Sequence, residues 1–189
     1  SSTQEHVDAL FPLYVHWGDA ETHTTIIPPV LYRNGPAGWH AWLAPLFFAS
    51  DGKDGGYVHI PPLLTFSRHR AEGAFSLIGG LGFYDRTARD VDWGVAPFVF
   101  GGHNDDKLTS YFLIPPLLTY HYRNRDTDVT STLVGPVFRR SGPKSSRFDV
   151  YPLFFHGEGV EEDERYTSTT LLPAFHYTRN TERSLLITP

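Results

Sequence analysis

"YFLIPPLLTYHYRN", residues 111–124, is an aliphatic and aromatic run with two prolines at its centre. Its flanks are strand formers. Proline, however, has no N–H to give to a strand ladder and is confined to sheet edges, ends and bulges. The device recurs. "YVHIPPLLTFSR" occupies 57–68, and the shorter "TTIIPPVLYRN" and "TTLLPAFHYTRN" occupy 24–34 and 169–180. A proline that returns at the same place in every apolar run belongs to a repeat.

The register of that repeat follows from the last proline of each run: Pro12, Pro29, Pro45, Pro62, Pro97, Pro116, Pro136, Pro152, Pro173 and Pro189, with Gly80 standing in for the missing member. The spacing is 16 to 21 residues along the whole chain. Two residues before each of these positions the residue is always aliphatic, from Leu10 and Ile27 to Leu171 and Ile187. Two residues after, it is almost always apolar, as at Tyr14, Phe47, Val99 and Phe154. Apolar residues at a period of two around a fixed point indicate strands. Polar clusters such as Arg33-Asn34-Gly35-Pro36 and Ser50-Asp51-Gly52-Lys53 separate the runs and read as turns. Residues 57–102 and 111–157 align strand for strand, and 166–189 begin a further copy, so a three-strand duplication overlays the short repeat.

These features predict one all-β domain over residues 1–189. It is a repetitive antiparallel up-and-down meander of about 10–11 strands, closed or nearly closed into a barrel; a β-solenoid is the rival. In this reading the prolines bend every strand at one height. The alternative is that they mark strand ends, each unit being two arms at a corner. The residues one past the register point, among them Leu13, Leu46, Leu63, Phe98, Leu117 and Leu153, are expected on the opposite face of the strands, which makes both faces apolar. "RSLLITP" at the end of the chain supplies half of one repeat and is expected to pair with the first or the tenth strand and seal the barrel; in an open array the same edge would recruit a further copy head to tail.

Composition narrows the function classes. The chain carries a formal charge of −5 with no basic stripe, which argues against a nucleic-acid partner. It has no cysteine, so disulfides, thiolate catalysis and Cys-based zinc sites are excluded. No cofactor, metal or catalytic motif with any specificity is present. "SDGKDGG" at 50–56, "HNDD" at 103–106 and the acidic run Glu158–Glu164 read as turns and a solvated loop.

One constellation depends on topology. If strands alternate in direction, positions four residues from the register point gather His16, Tyr84, Tyr120 and His156 with Thr25, Trp93, Thr132 and Thr169 on one rim. Aromatic faces beside hydroxyl and imidazole groups suit a sugar or another polar ligand. The opposite rim receives Arg33, Arg140 and Tyr177 and is expected to attract anions.

The words "APLFF" at 44–48 and "YPLFF" at 151–155 resemble those of uncharacterised bacterial proteins built from tandem Pro-Leu-Phe strands, and the whole pattern is similar to the shallow symmetric barrels called β-flowers. The resemblance implies a repetitive, closed β architecture in a bacterial cell envelope or extracellular setting, and implies no catalytic residues. The expected function is a non-enzymatic structural or self-associating β-repeat module, partnered through its second apolar face with itself or another protein. A glycan- or lipid-binding module and a small outer-membrane barrel are the alternatives.

Overall fold

The structure is a computed structural model that describes residues 5–161 and 164–188. The chain divides into two compact units, Ser1–Ala88 and Arg89–Pro189. The first contains β1 (His6–Leu10), β2 (Tyr14–Gly18), β3 (His23–Ile27), β4 (Val30–Gly35), β5 (Gly38–Leu43), β6 (Phe47–Gly52), β7 (Gly55–Ile60), β8 (Thr65–Arg70), β9 (Gly73–Ile78) and β10 (Gly82–Thr87). The second contains β11 (Asp90–Val95), β12 (Val99–Asn104), β13 (Thr109–Ile114), β14 (Thr119–Asn124), β15 (Val129–Val134), β16 (Val137–Ser141), β17 (Ser145–Val150), β18 (Phe154–Glu161), β19 (Glu164–Leu171), β20 (Phe175–Arg179) and β21 (Ser184–Ile187). Single 3₁₀ turns at Pro61–Leu63 and Pro115–Leu117 are the only helical segments among the described residues.

The all-β antiparallel meander is as expected, but its repeat unit is a hairpin and not a strand. The prolines stand where the chain reverses. Backbone bonds from Leu13 N–H to Leu10 O, Leu46 to Leu43, Phe98 to Val95 and Leu153 to Val150 close the Pro-Leu/Phe turns. At Pro61–Leu63 and Pro115–Leu117 the turn ends on Leu64 and Leu118, both left-handed at φ 47. A residue without an N–H is tolerated at a turn and not within a ladder. The strand count therefore doubles from the expected 10–11 to 21. The residues one past the register point are not a second strand face. Leu13, Leu46, Leu63, Phe98, Leu117 and Leu153 sit in the turns themselves and are exposed.

Within each unit every strand pairs with its sequence neighbour, from His6↔Gly18 between β1 and β2 to Gly82↔Ile78 between β9 and β10, and from Asp90↔Asn104 between β11 and β12 to Arg179↔Ser184 between β20 and β21. The sheet is not closed, so the expected barrel is not confirmed, and an open meander fits the solenoid alternative. Because hairpin turns alternate between two ends, each unit acquires two unlike edges. One collects the proline and glycine turns, all apolar. The other collects the polar turns. The acidic run forms strand rather than loop where it is described, with Glu158 within β18, Glu161 at its end and Glu164 opening β19; Glu162 and Asp163, like Pro189, lie outside the described residues.

Residues paired across a ladder share a face. On the front face of the first unit, the second rung in from the proline edge runs Val15, Ile26, Leu31, Trp42, Phe48, His59, Phe66, Leu77 and Phe83. Its rings touch in sequence: Trp42–Phe48 at 6.5 Å, Phe48–His59 at 6.0 Å and His59–Phe66 at 5.9 Å between centroids. The equivalent rung of the second unit runs Phe100, Leu113, Tyr120, Leu133, Phe138, Asp149 and Phe155. Apart from Asp149, which is fully buried, the residues of this stripe are half-buried or exposed. Ala49 is the only buried apolar side chain among the described residues.

Glycines in middle strands let flanking strands reach each other. Asp92, Gly102 and Tyr111 lie on one rung, and Tyr111 Oη donates to Asp92 Oδ1 at 2.8 Å over the glycine. A Cβ on Gly102 would stand 2.1 Å from Asp92 Oδ1. On the other face Trp93 lies over Gly101, where a Cβ would meet its ring at 2.7 Å. The first unit repeats the device: Asp51 and His69 meet at 3.2 Å across Gly56.

Candidate functional site

The expected rim is a rung. Because a unit is two short strands, four residues from the proline falls midway along a strand and not at its end. In the first unit His16, Thr25 and Tyr84 share one back-face rung that runs Asp8, His16, Thr25, Tyr32, Ala41, Ala49, Val58, Ser67, Ser76, Tyr84. His16 and Thr25 are in contact; Tyr84 lies at the far end of the rung. In the second unit Trp93, Thr132, His156 and Thr169 share the equivalent rung, in the order Trp93, Gly101, Phe112, His121, Thr132, Arg139, Phe148, His156, Thr169, Tyr177. Tyr177 joins this group rather than the arginines. Tyr120 is on the front face, between Leu113 and Leu133.

Imidazole–threonine pairs punctuate the back face. Nδ1 of His16, His121 and His156 lies 2.8, 3.0 and 2.9 Å from Oγ1 of Thr25, Thr132 and Thr169. A fourth pair, His176 with Thr170 at 2.7 Å, is on the front face. A base beside a hydroxyl is the first requirement of nucleophilic catalysis, but that chemistry also needs a third group to orient the imidazole. Among the described residues no carboxylate is hydrogen-bonded to any of these four rings. Their recurrence at equivalent ladder positions is that of cross-strand pairs, which hold register. His121 carries the same pairing as His16 and was legible only once Thr119 was known to open a strand.

Two front-face hollows each hold arginine beside aromatic side chains. The larger of the two, about 630 Å³, is lined by Trp17, Thr24, Arg33, His40 and Trp42 together with Glu5, His6 and Asp19. Trp17, Thr24, Arg33 and His40 stand on a single rung. Two indoles flank a guanidinium, an imidazole and a hydroxyl, a set suited to stacking and donating hydrogen bonds. Sequence reasoning singled out Arg33 but not Trp17, His40 or Trp42, which are brought to it only by the exact register. The smaller hollow, about 420 Å³, holds Arg140 directly opposite Arg147. Arg147 Nε donates to Asp149 Oδ2 at 2.6 Å, and that carboxylate is fully buried with Oδ1 unpartnered.

Two phenols here are perturbed. Burial, followed by the hydrogen bond and charge of Asp92, pushes the Tyr111 hydroxyl up to about 12. Burial, with a lesser contribution from Tyr122 stacked at 6.5 Å, raises Tyr120. Comparison of the chain with protein-family models, with curated proteins and with solved structures finds no match.

Proposed function

We propose that the chain is a non-enzymatic structural β-repeat module of a bacterial envelope or extracellular protein, and that it works by associating with further copies of itself. The observation that carries this reading is surface area. The chain exposes 13642 Å² at 21.3 kDa. A compact monomer of that mass exposes about 9,100 Å², and two separate compact bodies of half the mass about 11,000 Å² together. Large apolar side chains such as Phe11, Trp42 and Leu63 are exposed, and packing another copy against the sheet would remove part of that surface from water. The ring stripe on the front face offers such a copy a continuous apolar strip, since sheets pack face to face about 10 Å apart. Such stacking, rather than closure of one chain, is the form in which a barrel-like or sandwich-like enclosure would arise. The envelope setting rests on the resemblance to tandem Pro-Leu-Phe proteins.

Light scattering over a range of concentrations tests this. The expected mass exceeds 21.3 kDa and rises with concentration, and the melting temperature rises with it. A monomer with a melting temperature independent of concentration overturns the proposal.

The Trp17–Arg33–Trp42 hollow favours a second reading, a module that binds a glycan or another polar ligand. Titration with a panel of neutral and acidic oligosaccharides, read by tryptophan fluorescence, tests it; Trp17→Ala should abolish the response. An outer-membrane barrel is the weakest reading, because most strands have five or six residues where a crossing strand needs about 9–11.

A further inference from the structure

In each unit, among the described residues, the proline-turn edge carries no exposed Asp, Glu, Lys or Arg. In the first unit the turns, with two strand residues on either side, are residues 9–15, 26–31, 42–48, 59–66 and 77–83, and none contains Asp, Glu, Lys or Arg. In the second unit the matching segments are 94–100, 113–120, 133–138, 149–155 and 170–176, and they contain a single ionisable acid, Asp149. That carboxylate is fully buried and bonded to Arg147. A band about 10 Å deep, three residues at about 3.4 Å each, is thus free of exposed charge.

The tips of this band are not folded away. Phe11 is 86% exposed, Leu63 62% and Leu117 64%. Leu64 and Leu118 are exposed as well, and each holds a left-handed backbone that costs a leucine roughly 1–2 kcal/mol and a glycine nothing. Backbone strain kept at an exposed apolar residue is a mark of a contact made outside the folded chain.

We infer that this edge of each unit is a membrane-attachment surface, and that its occupant is the interfacial layer of a lipid bilayer. Three features choose lipid over a second copy. Within a unit the edge is a row of exposed turn tips flanked by apolar strand residues on both faces of the sheet, so a rigid partner would have to wrap around it, whereas acyl chains fill around any shape. The uncharged depth matches the 5–10 Å to which interfacial elements sink and falls far short of the hydrocarbon thickness of about 30 Å. The next back-face rung of each unit, with His16, Tyr32 and Tyr84 beside Asp8 in the first and Trp93, His156 and Tyr177 beside Arg139 in the second, sets hydrogen-bonding aromatics and charge at the height where headgroups would lie. With a charge of −5 the protein gains nothing from anionic lipid, so attachment is apolar. The inference goes beyond self-association through the front face and does not depend on it.

Flotation with phosphatidylcholine vesicles, at low and high salt, is the test. The full chain should float, and salt should not release it. Leu63→Asp and Leu117→Asp, at exposed tips, should each lower partitioning about tenfold or more, the loss of one buried leucine; Ala71→Asp, in a polar turn, should leave it unchanged. Depth is read in β5, which carries Trp42 near the proline edge and Trp39 near the polar edge. In chains keeping only one of these tryptophans, lipids brominated on the acyl chain should quench Trp42 several-fold more than Trp39. Failure of the full chain to float, equal quenching of the two indoles, or undiminished flotation of both Asp variants overturns the inference. So does an oligomer that Leu63→Asp disperses while vesicles capture nothing, which would assign the edge to a second copy. Vesicle capture of a strict monomer would instead uphold it and remove the self-association reading.

Discussion

The two edges of each unit reverse the same chain by opposite means. At the polar edge, side chains turn inward to the backbone. Asp19 Oδ1 accepts from Glu21 and Thr22 N–H at 2.8 Å each, Asn124 Oδ1 from Asp126 and Thr127, and Asn180 Oδ1 from Glu182 and Arg183. Such Asx turns replace a missing ladder bond with a local one. At the proline edge, backbone bonds such as Leu46 N–H to Leu43 O close the turn, the Thr65 and Thr119 hydroxyls donate to Leu63 O and Leu117 O, Thr65 also accepts from Gly79 N–H, and the apolar side chains point away. One edge spends its side chains on its own fold and the other leaves them available. Substitutions at the polar edge should therefore change stability, and those at the proline edge should change association.

The largest effect is expected between the edges, where the sheet depends on glycine. Gly102→Ala forces a Cβ against Asp92 Oδ1 at 2.1 Å and against the Tyr111 ring, and parts their hydrogen bond. Denaturant unfolding should show a loss of about 1–3 kcal/mol. Gly157 is the repeat-equivalent residue, yet a Cβ there meets only Ser146 O at 3.8 Å. Gly157→Ala should be neutral or gain up to about 1 kcal/mol. Equal losses at both would mean that the bridging contacts do not hold the strands.

The edges can then be compared directly. Asn124→Ala removes two backbone partners and should cost about 0.5–2 kcal/mol. Leu117→Ala, at an exposed tip, should change stability by less than about 0.5 kcal/mol. A cost at Leu117 matching that at Asn124 would show that the tip is already packed within the chain.

Much of this was legible in the sequence, and the part that was not has a single cause. Period-two alternation around Pro45, Pro97 or Pro152 identifies strands, and the polar clusters identify turns. What alternation cannot distinguish is a bent strand from two strands meeting at a turn, because the residue two positions from Pro45 lies on the same face in either case. Placing the proline within the strand halved the strand count and turned tip residues such as Leu46 into an imagined second face. The same error moved His16 and His156 from mid-strand to a rim, although their pairing with Thr25 and Thr169 survives it. The Trp17–His40 rung was invisible for another reason: it gathers residues from four strands whose turns differ in length, so no fixed offset finds it.

A smaller effect is expected at Leu118. Leu118→Gly relieves a left-handed backbone and loses a side chain that makes little contact within the chain, while adding the freedom of glycine to the unfolded state. The two backbone terms are similar in size, so the net change should be within about 1 kcal/mol and on the stabilising side, as a thermal melt would register. A clear loss of stability would place the leucine in an internal contact and remove the argument from strain.

The smallest effect separates charge from shape at the polar edge. Hydrogen bonds from Glu21 and Thr22 N–H hold the Asp19 carboxyl below the ordinary carboxylate range. A group whose pKa is lowered on folding stabilises the fold where it is ionised, above its unfolded value near 4, and that stabilisation is lost as pH falls through the folded value. Asn124 and Asn180 make the same Asx turn with an amide, which does not titrate in this range. Asp19→Asn should therefore keep both backbone bonds while flattening the part of the acid limb that Asp19 supplies. The measurement is the difference in unfolding midpoint between wild type and variant from neutral pH down to acid. The two should converge as pH falls, because the wild-type carboxyl is then as neutral as the amide. A constant offset would mean that the turn responds to side-chain shape alone and that ionisation of Asp19 adds nothing to the polar edge.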